Sequence, residues 1–124
     1  MRKQDQNCVF CQIVAGKIPS TKVFEDSEFL AINDTHPITR GHTVFFSKNH
    51  YQNGEDMPSE ERGRLFNKAV EVAGQVVKEA GAEGYNLLIC SNEAAQSGVP
   101  HRFHIHIIPR HAGDNLNIDP RGYR

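Results

Sequence analysis

The chain has 124 residues, 38% of them apolar, with 14 Lys and Arg against 15 Asp and Glu. That is the size of a single domain with one core. A charge near zero gives no global reason to expect nucleic acid or an anionic membrane as partner, although a small anion needs only a local positive site. No apolar run approaches the ~18 residues of a membrane span. The polar start, Met1-Arg2-Lys3-Gln4-Asp5-Gln6-Asn7, lacks the apolar centre of a signal peptide, so a soluble cytoplasmic protein is expected. Cys8, Cys11 and Cys90 make no disulfide framework, which agrees with that compartment.

Cys8 to Ala15 reads as a short helix ended by Gly16 and Pro19. Lys22 to Glu25 and Glu28 to Ile32 read as two strands, with Asp26-Ser27 as the hairpin turn between them. Asn33-Asp34-Thr35-His36-Pro37 is a polar, turn-prone break. His42 to Ser47 (HTVFFS) has the β-branched and aromatic content of a strand. A long helix is expected from about Glu60 to Ala80, with Ser59 as N-cap and Glu60 and Glu61 favourable in its first turn. Leu65, Ala69, Val72, Ala73, Val76 and Ala80 form one apolar stripe at helical spacing, widened by Phe66, Val70 and Val77, and Gly81 ends the helix. Gly84 to Ser91 contains a largely buried strand, Asn92 to Pro100 is a loop of small residues, and Phe103 to Ile108 is the last strand, stopped by Pro109. Together these predict one α+β domain over 1–124: an antiparallel sheet of about five strands, one long helix and a short N-terminal helix.

The last strand carries the chemistry. Side chains alternate faces in a strand, so His104 and His106 share one face, their rings roughly 7 Å apart, and Phe103, Ile105 and Ile107 share the other. Two surface histidines on an amphipathic strand would be one reading. A phosphate site is the sharper one. Neutral imidazole is a good nucleophile near pH 7, one ring nitrogen attacking phosphorus while a carbonyl fixes the other N–H. A second imidazole can hydrogen-bond the phosphoryl oxygens. The preceding loop, Ala94-Ala95-Gln96-Ser97-Gly98-Val99, has small residues that let backbone N–H groups approach an anion.

HIHIIPR (His104 to Arg110) resembles the catalytic strand of the histidine triad family of nucleotide hydrolases and transferases, whose motif is His-x-His-x-His followed by two apolar residues. The stretch from Asn7 to His50 resembles the N-terminal half of bacterial members, and the likeness runs over roughly residues 7–110. The resemblance implies a HIT-like fold. It implies cleavage at the α-phosphate of a purine nucleoside phosphoramidate or a dinucleoside polyphosphate through a nucleotidyl-histidine intermediate. By position, His104 matches the nucleophile and His106 the phosphate-contacting histidine. Asp34 matches the acidic residue that binds the ribose hydroxyls, where a carboxylate accepts two hydrogen bonds from a cis-diol. Asn92, Gln96, Ser97 and Val99 fall in the loop that holds the phosphate and leaving group, and Ile13, Phe29 and Leu30 are placed near the base. The resemblance also implies AMP derivatives as substrates and a homodimer, with no organic cofactor. A module that binds nucleotide or zinc without turnover is the alternative.

Cys8 and Cys11 are one helical turn apart, so their sulfurs can converge on one ion, but a tetrahedral zinc site needs two more ligands. Two reduced, partly buried thiols are the plainer reading. The resemblance supplies the missing ligands from a histidine like His50 and from the first histidine of the triad. Strict alternation back from His104 puts Arg102 at that first position, and arginine is no zinc ligand. A bulge at Arg102 restores His101 to the histidine face and completes a structural set of Cys8, Cys11, His50 and His101. Otherwise Arg102 holds the position, the fourth ligand is lost, and Arg102 is free to contact phosphate.

Overall fold

The computed structural model describes residues 4–118. Helix α1 (Val9–Val14) is followed by strands β1 (Lys22–Glu25), β2 (Phe29–Asn33) and β3 (Thr43–Ser47), then α2 (Ser59–Ala80), β4 (Gly84–Leu88) and β5 (Ile105–Arg110). The five strands form one antiparallel sheet in the order β1-β2-β3-β5-β4. This is the α+β architecture expected from the sequence.

Alternation along the strands sorts the core into two layers. Phe29, Ala31, Phe45, Ile105 and Ile107 point to α2 and pack on its stripe of Leu65, Ala69, Val72, Ala73 and Val76. Leu30, Ile32, Val44 and Phe46 point to the other face, where Cys8, Phe10, Cys11 and Ile13 of the N-terminal segment cover them. The sheet is therefore buried on both faces, and this is why β2 and β3 read as near-continuous apolar runs. Asp26 closes the β1–β2 turn, its Oδ1 accepting from the N–H groups of Glu28 (2.8 Å) and Phe29 (2.7 Å).

Several local expectations are corrected. Ser59 is the first helical residue rather than the N-cap; Pro58 precedes it and no side chain caps the helix start. Gly81 ends α2 in the left-handed conformation (φ 64°), as expected. Phe66 and Val70 do not widen the core: they are exposed on the outer side of α2. Pro109 does not stop the last strand. β5 runs on to Arg110, with Pro109 opposite Tyr85 of β4. The pairing with β3 has already ended at Ile107, so on that side no ladder bond is lost to the missing N–H.

The chain enters β3 through Gly41, at φ 89°. A Cβ there would lie 3.1 Å from Ala80 Cβ and 3.3 Å from Pro109 Cγ, so both the backbone conformation and the space call for glycine. The next residue, His42, is thereby set at the head of β3, on the face of Val44 and Phe46.

Candidate active site

A cleft of about 760 Å³ opens on the α1 side of the sheet. His104 and His106 lie along it with Asp34 and His36. Its apolar wall includes Val9, Phe10, Ile13, Ile18 and Val44, and Gly98 and Val99 close one end.

The hydrogen bonds of the histidines fix their proton positions. His104 Nδ1 is 2.8 Å from the carbonyl oxygen of Arg102. A carbonyl only accepts, so Nδ1 carries the proton and Nε2 keeps its lone pair. The ring is 3% exposed and stands edge-on to Phe10, with centroids 5.2 Å apart. His106 is tied to a third histidine: His42 Nε2 lies 2.9 Å from His106 Nδ1. The direction of that bond follows from the far side of His42, where Nδ1 accepts the backbone N–H of Ile38 at 3.2 Å. His42 then holds its proton on Nε2 and donates it to His106 Nδ1, which leaves Nε2–H of His106 as a donor. One site thus presents an imidazole lone pair next to an imidazole N–H. The two rings are 4.9 Å apart by centroid and steeply inclined (75°), closer than an ideal strand spacing suggests.

Electrostatics keep these rings neutral. Burial pushes the pKa of His42, His104 and His106 below the ordinary imidazole value. Opposing it, the Arg102 carbonyl favours protonated His104, and the Asp34 carboxylate favours protonation of all three. Asp34 Oδ1 accepts the His36 N–H (2.8 Å), closing the turn, while Oδ2 lies 3.5 Å from His42 Nε2 and 3.9 Å from His106 Nδ1. Asp34, His42 and His106 are close enough to hold a metal ion. A metal on His42 Nε2 would force the proton to Nδ1, against the Ile38 N–H, so the arrangement suits a hydrogen-bond relay better.

The other expected residues divide. Val99 and Ile13 reach the cleft; Asn92, Gln96 and Ser97 do not line it. Asn92 and Gln96 take left-handed backbone (φ 72° and 64°), and Ser97 Oγ accepts the Val99 N–H at 3.3 Å. Phe29 and Leu30 lie in the two core layers, not beside the cleft. Cys8, Cys11 and His50 converge, with ligand atoms within 4.8 Å of one another, a cluster compatible with zinc. His101 is exposed and outside that group, its ring centroid 6.3 Å from that of His50. Arg102 keeps the strict alternation with His104 and is buried on the same side of the sheet as the thiols. The bulge that would have brought His101 into register is therefore not seen.

His42 is the residue of the candidate site that sequence reasoning missed. Its signal was its place two residues before Val44 on the histidine-bearing face; what was not visible is that β3 pairs with β5, Val44 opposite His106.

A five-stranded antiparallel sheet with one long helix, carrying a histidine pair at the head of its last strand over a cleft, defines the histidine triad class of α+β domain. The HIT domain family model matches residues 15–113, and the chain belongs to that family. It is 40% identical over 107 residues to an uncharacterized HIT-like protein of Methanocaldococcus jannaschii, covering 86% of this chain and 81% of the other. It is 38% identical to the adenylylsulfatase HINT3 of Arabidopsis thaliana, over 89% of this chain and 55% of that protein. With the adenosine 5'-monophosphoramidase HNT1 of Saccharomyces cerevisiae it shares 31% identity, over 86% and 64%. Among solved structures, SMU.412c from Streptococcus mutans superposes with a TM-score of 0.89 at 36% identity, covering 96% of this chain and 75% of the other. A zinc-bound histidine triad protein from Mycobacterium smegmatis gives 0.77 at 36%, covering 92% and 84%.

Proposed function

We propose that this chain is a nucleotide hydrolase that cleaves at the α-phosphate of a purine nucleoside phosphoramidate or related adenylylated compound through a nucleotidyl-His104 intermediate. The observation that carries this reading is the bond from His104 Nδ1 to the Arg102 carbonyl, which leaves a buried Nε2 lone pair in the cleft. Nε2 forms a bond to phosphorus as the P–N or P–O bond to the leaving group breaks, and that group leaves with a proton. Water then attacks phosphorus, the Nε2–P bond breaks, and the nucleoside monophosphate is released. His106 Nε2–H donates to a phosphoryl oxygen as its charge grows, held in that tautomer by His42. Asp34, at the cleft edge, is suited to accept from a ribose diol, and the wall of Phe10, Ile13, Ile18 and Val44 to cover a base. The named activities of the Arabidopsis and yeast relatives, an adenylylsulfatase and an adenosine 5'-monophosphoramidase, support the substrate class.

A homodimer belongs to the same proposal. Phe66 and Val70 on α2, Tyr85 on the edge strand β4 and Ile89 just after it are exposed large apolar side chains, the kind of surface that a second copy covers. The three free cysteines suit a reducing cytoplasm. Among the described residues no helix is long and apolar enough to cross a membrane.

The test is mass spectrometry of protein quenched during turnover of an adenosine phosphoramidate. An adenylyl adduct on a His104 peptide is expected, and undiminished turnover by His104→Ala would sink the proposal. A binding module without turnover is the second reading, favoured by one observation: Asn92, Gln96 and Ser97 are not among the residues that line the cleft. AMP binding in calorimetry with no hydrolysis of any phosphoramidate would select it.

A further inference from the structure

Arg102 is the largest fully buried side chain, 1% exposed. A buried guanidinium is ordinarily paired with a carboxylate. Here none of the ion pairs among the described residues includes it. Nη1 donates to the carbonyl oxygen of Asn49 at 2.6 Å, and the guanidinium lies over the Phe46 ring, 5.2 Å from its centroid. Nε and Nη2 are buried without a hydrogen-bond partner. Phe46 belongs to the core cluster that holds Cys8 and Cys11, so the guanidinium is packed on the side of the two thiols, which favour its charge against the cost of burial.

A closed zinc site needs four ligands, and Cys8, Cys11 and His50 provide three. His101 is not among them, exposed with its ring centroid 6.3 Å from that of His50, and the side chain buried where alternation puts the fourth ligand is a cation with no lone pair to give. The donor set therefore does not fit a closed structural zinc site. We infer that Arg102 replaces both the fourth ligand and the metal: its guanidinium, set against Cys8 and Cys11, fastens the N-terminal helix to the head of β5 without zinc. The same residue gives its carbonyl to His104 Nδ1, so the side chain that anchors this corner also fixes the backbone that orients the catalytic imidazole. Nε and Nη2 make no hydrogen bond to the thiols either, so the guanidinium meets the two sulfurs as a buried charge beside weak acceptors and through packing on Phe46.

This inference is independent of the nucleotide chemistry, and its test reads metal and stability. Full-length protein from zinc-supplemented culture is dialysed and its zinc measured by elemental analysis, and its thermal midpoint is recorded with and without EDTA. Wild type is expected to hold far less than about one zinc per chain and to melt at the same temperature with chelator present. Arg102→His puts an imidazole at the fourth corner. It is expected to take up about one zinc per chain and to lose thermal stability on chelation. Added Co²⁺ should give thiolate-to-metal charge-transfer absorption only in that variant. Stoichiometric zinc in the wild type, with a midpoint lowered by EDTA, overturns the inference whether or not Arg102→His folds.

Discussion

His104 Nδ1 and the carbonyl oxygen of Arg102, two residues apart in one chain, are 2.8 Å from each other. The contact holds the ring as the Nδ1–H tautomer and forms where the backbone has not yet entered the ladder of β5, which begins at Ile105. Nitrogen NMR of labelled protein at pH about 7 should therefore show His104 with Nδ1 protonated and Nε2 bare. His104→Asn keeps a polar side chain but removes the nucleophile. Its single-turnover rate should fall by roughly 10⁴-fold or more, the scale seen when a covalent nucleophile is deleted, with AMP affinity within a few fold of wild type.

The His42–His106 bond of 2.9 Å makes His42 a positioning residue. His42→Ala removes the donor that sets the His106 tautomer, so His106 can turn its lone pair to the phosphate instead of its N–H. One lost orienting hydrogen bond in a buried site amounts to about 1–3 kcal/mol, roughly 5- to 150-fold in rate. The loss should fall on kcat rather than KM, and His42→Gln, which keeps a donor, should recover part of it. An equal loss in KM alone would show that His42 only shapes the cleft.

Burial holds His42, His104 and His106 below the ordinary imidazole pKa of 6.5. The acid limb of a kcat/KM profile should accordingly lie below about pH 6.5. Stability follows the same sign. Between the depressed folded values and about 6.5 the unfolded chain binds more protons than the folded one, so stability rises with pH through that window and is lost as pH falls. Thermal midpoints at pH about 5.5 and 7.5 measure this, and His104→Asn should flatten the difference.

The α+β class, the long helix and the five strands were legible in the sequence: helical spacing from Leu65 to Ala80, β-branched and aromatic content in β3, alternation in β5; β4, expected to be largely buried, is only half-buried because it lies at the sheet edge. The extent of burial was less legible. Phe66 and Val70 share the apolar character of their neighbours on α2 but not their position, and composition alone does not tell a core edge from a free surface. In the site, the strand motif gave His104 and His106, while His42 needed the β3–β5 pairing, a contact 64 residues apart in sequence. The zinc set could not be resolved for a related reason. His101 and Arg102 are adjacent, and only the backbone phase at the head of β5 decides which of them is buried.

Glu61 offers the last prediction, on stability. It is a buried carboxylate in the first turn of α2, accepting from Ser47 Oγ at 2.6 Å and from Tyr51 Oη at 2.8 Å. Burial, with Glu61 close by, pushes the Tyr51 hydroxyl up to about 12, so it donates throughout the neutral range. The backbone oxygen of Tyr51 in turn accepts the N–H of Phe103 at 2.7 Å, beside the Arg102 carbonyl that holds His104. Glu61→Ala removes the acceptor of two buried hydroxyls and should cost about 2–4 kcal/mol, read as a shift in the urea midpoint. Tyr51→Phe removes one donor and should cost only about 1 kcal/mol, because Glu61 keeps the Ser47 bond. If the Glu61–Tyr51 contact also supports the head of β5, both Glu61→Ala and Tyr51→Phe should broaden the His104 NMR signals in protein that remains folded, and sharp signals in both would show that the contact acts on stability alone.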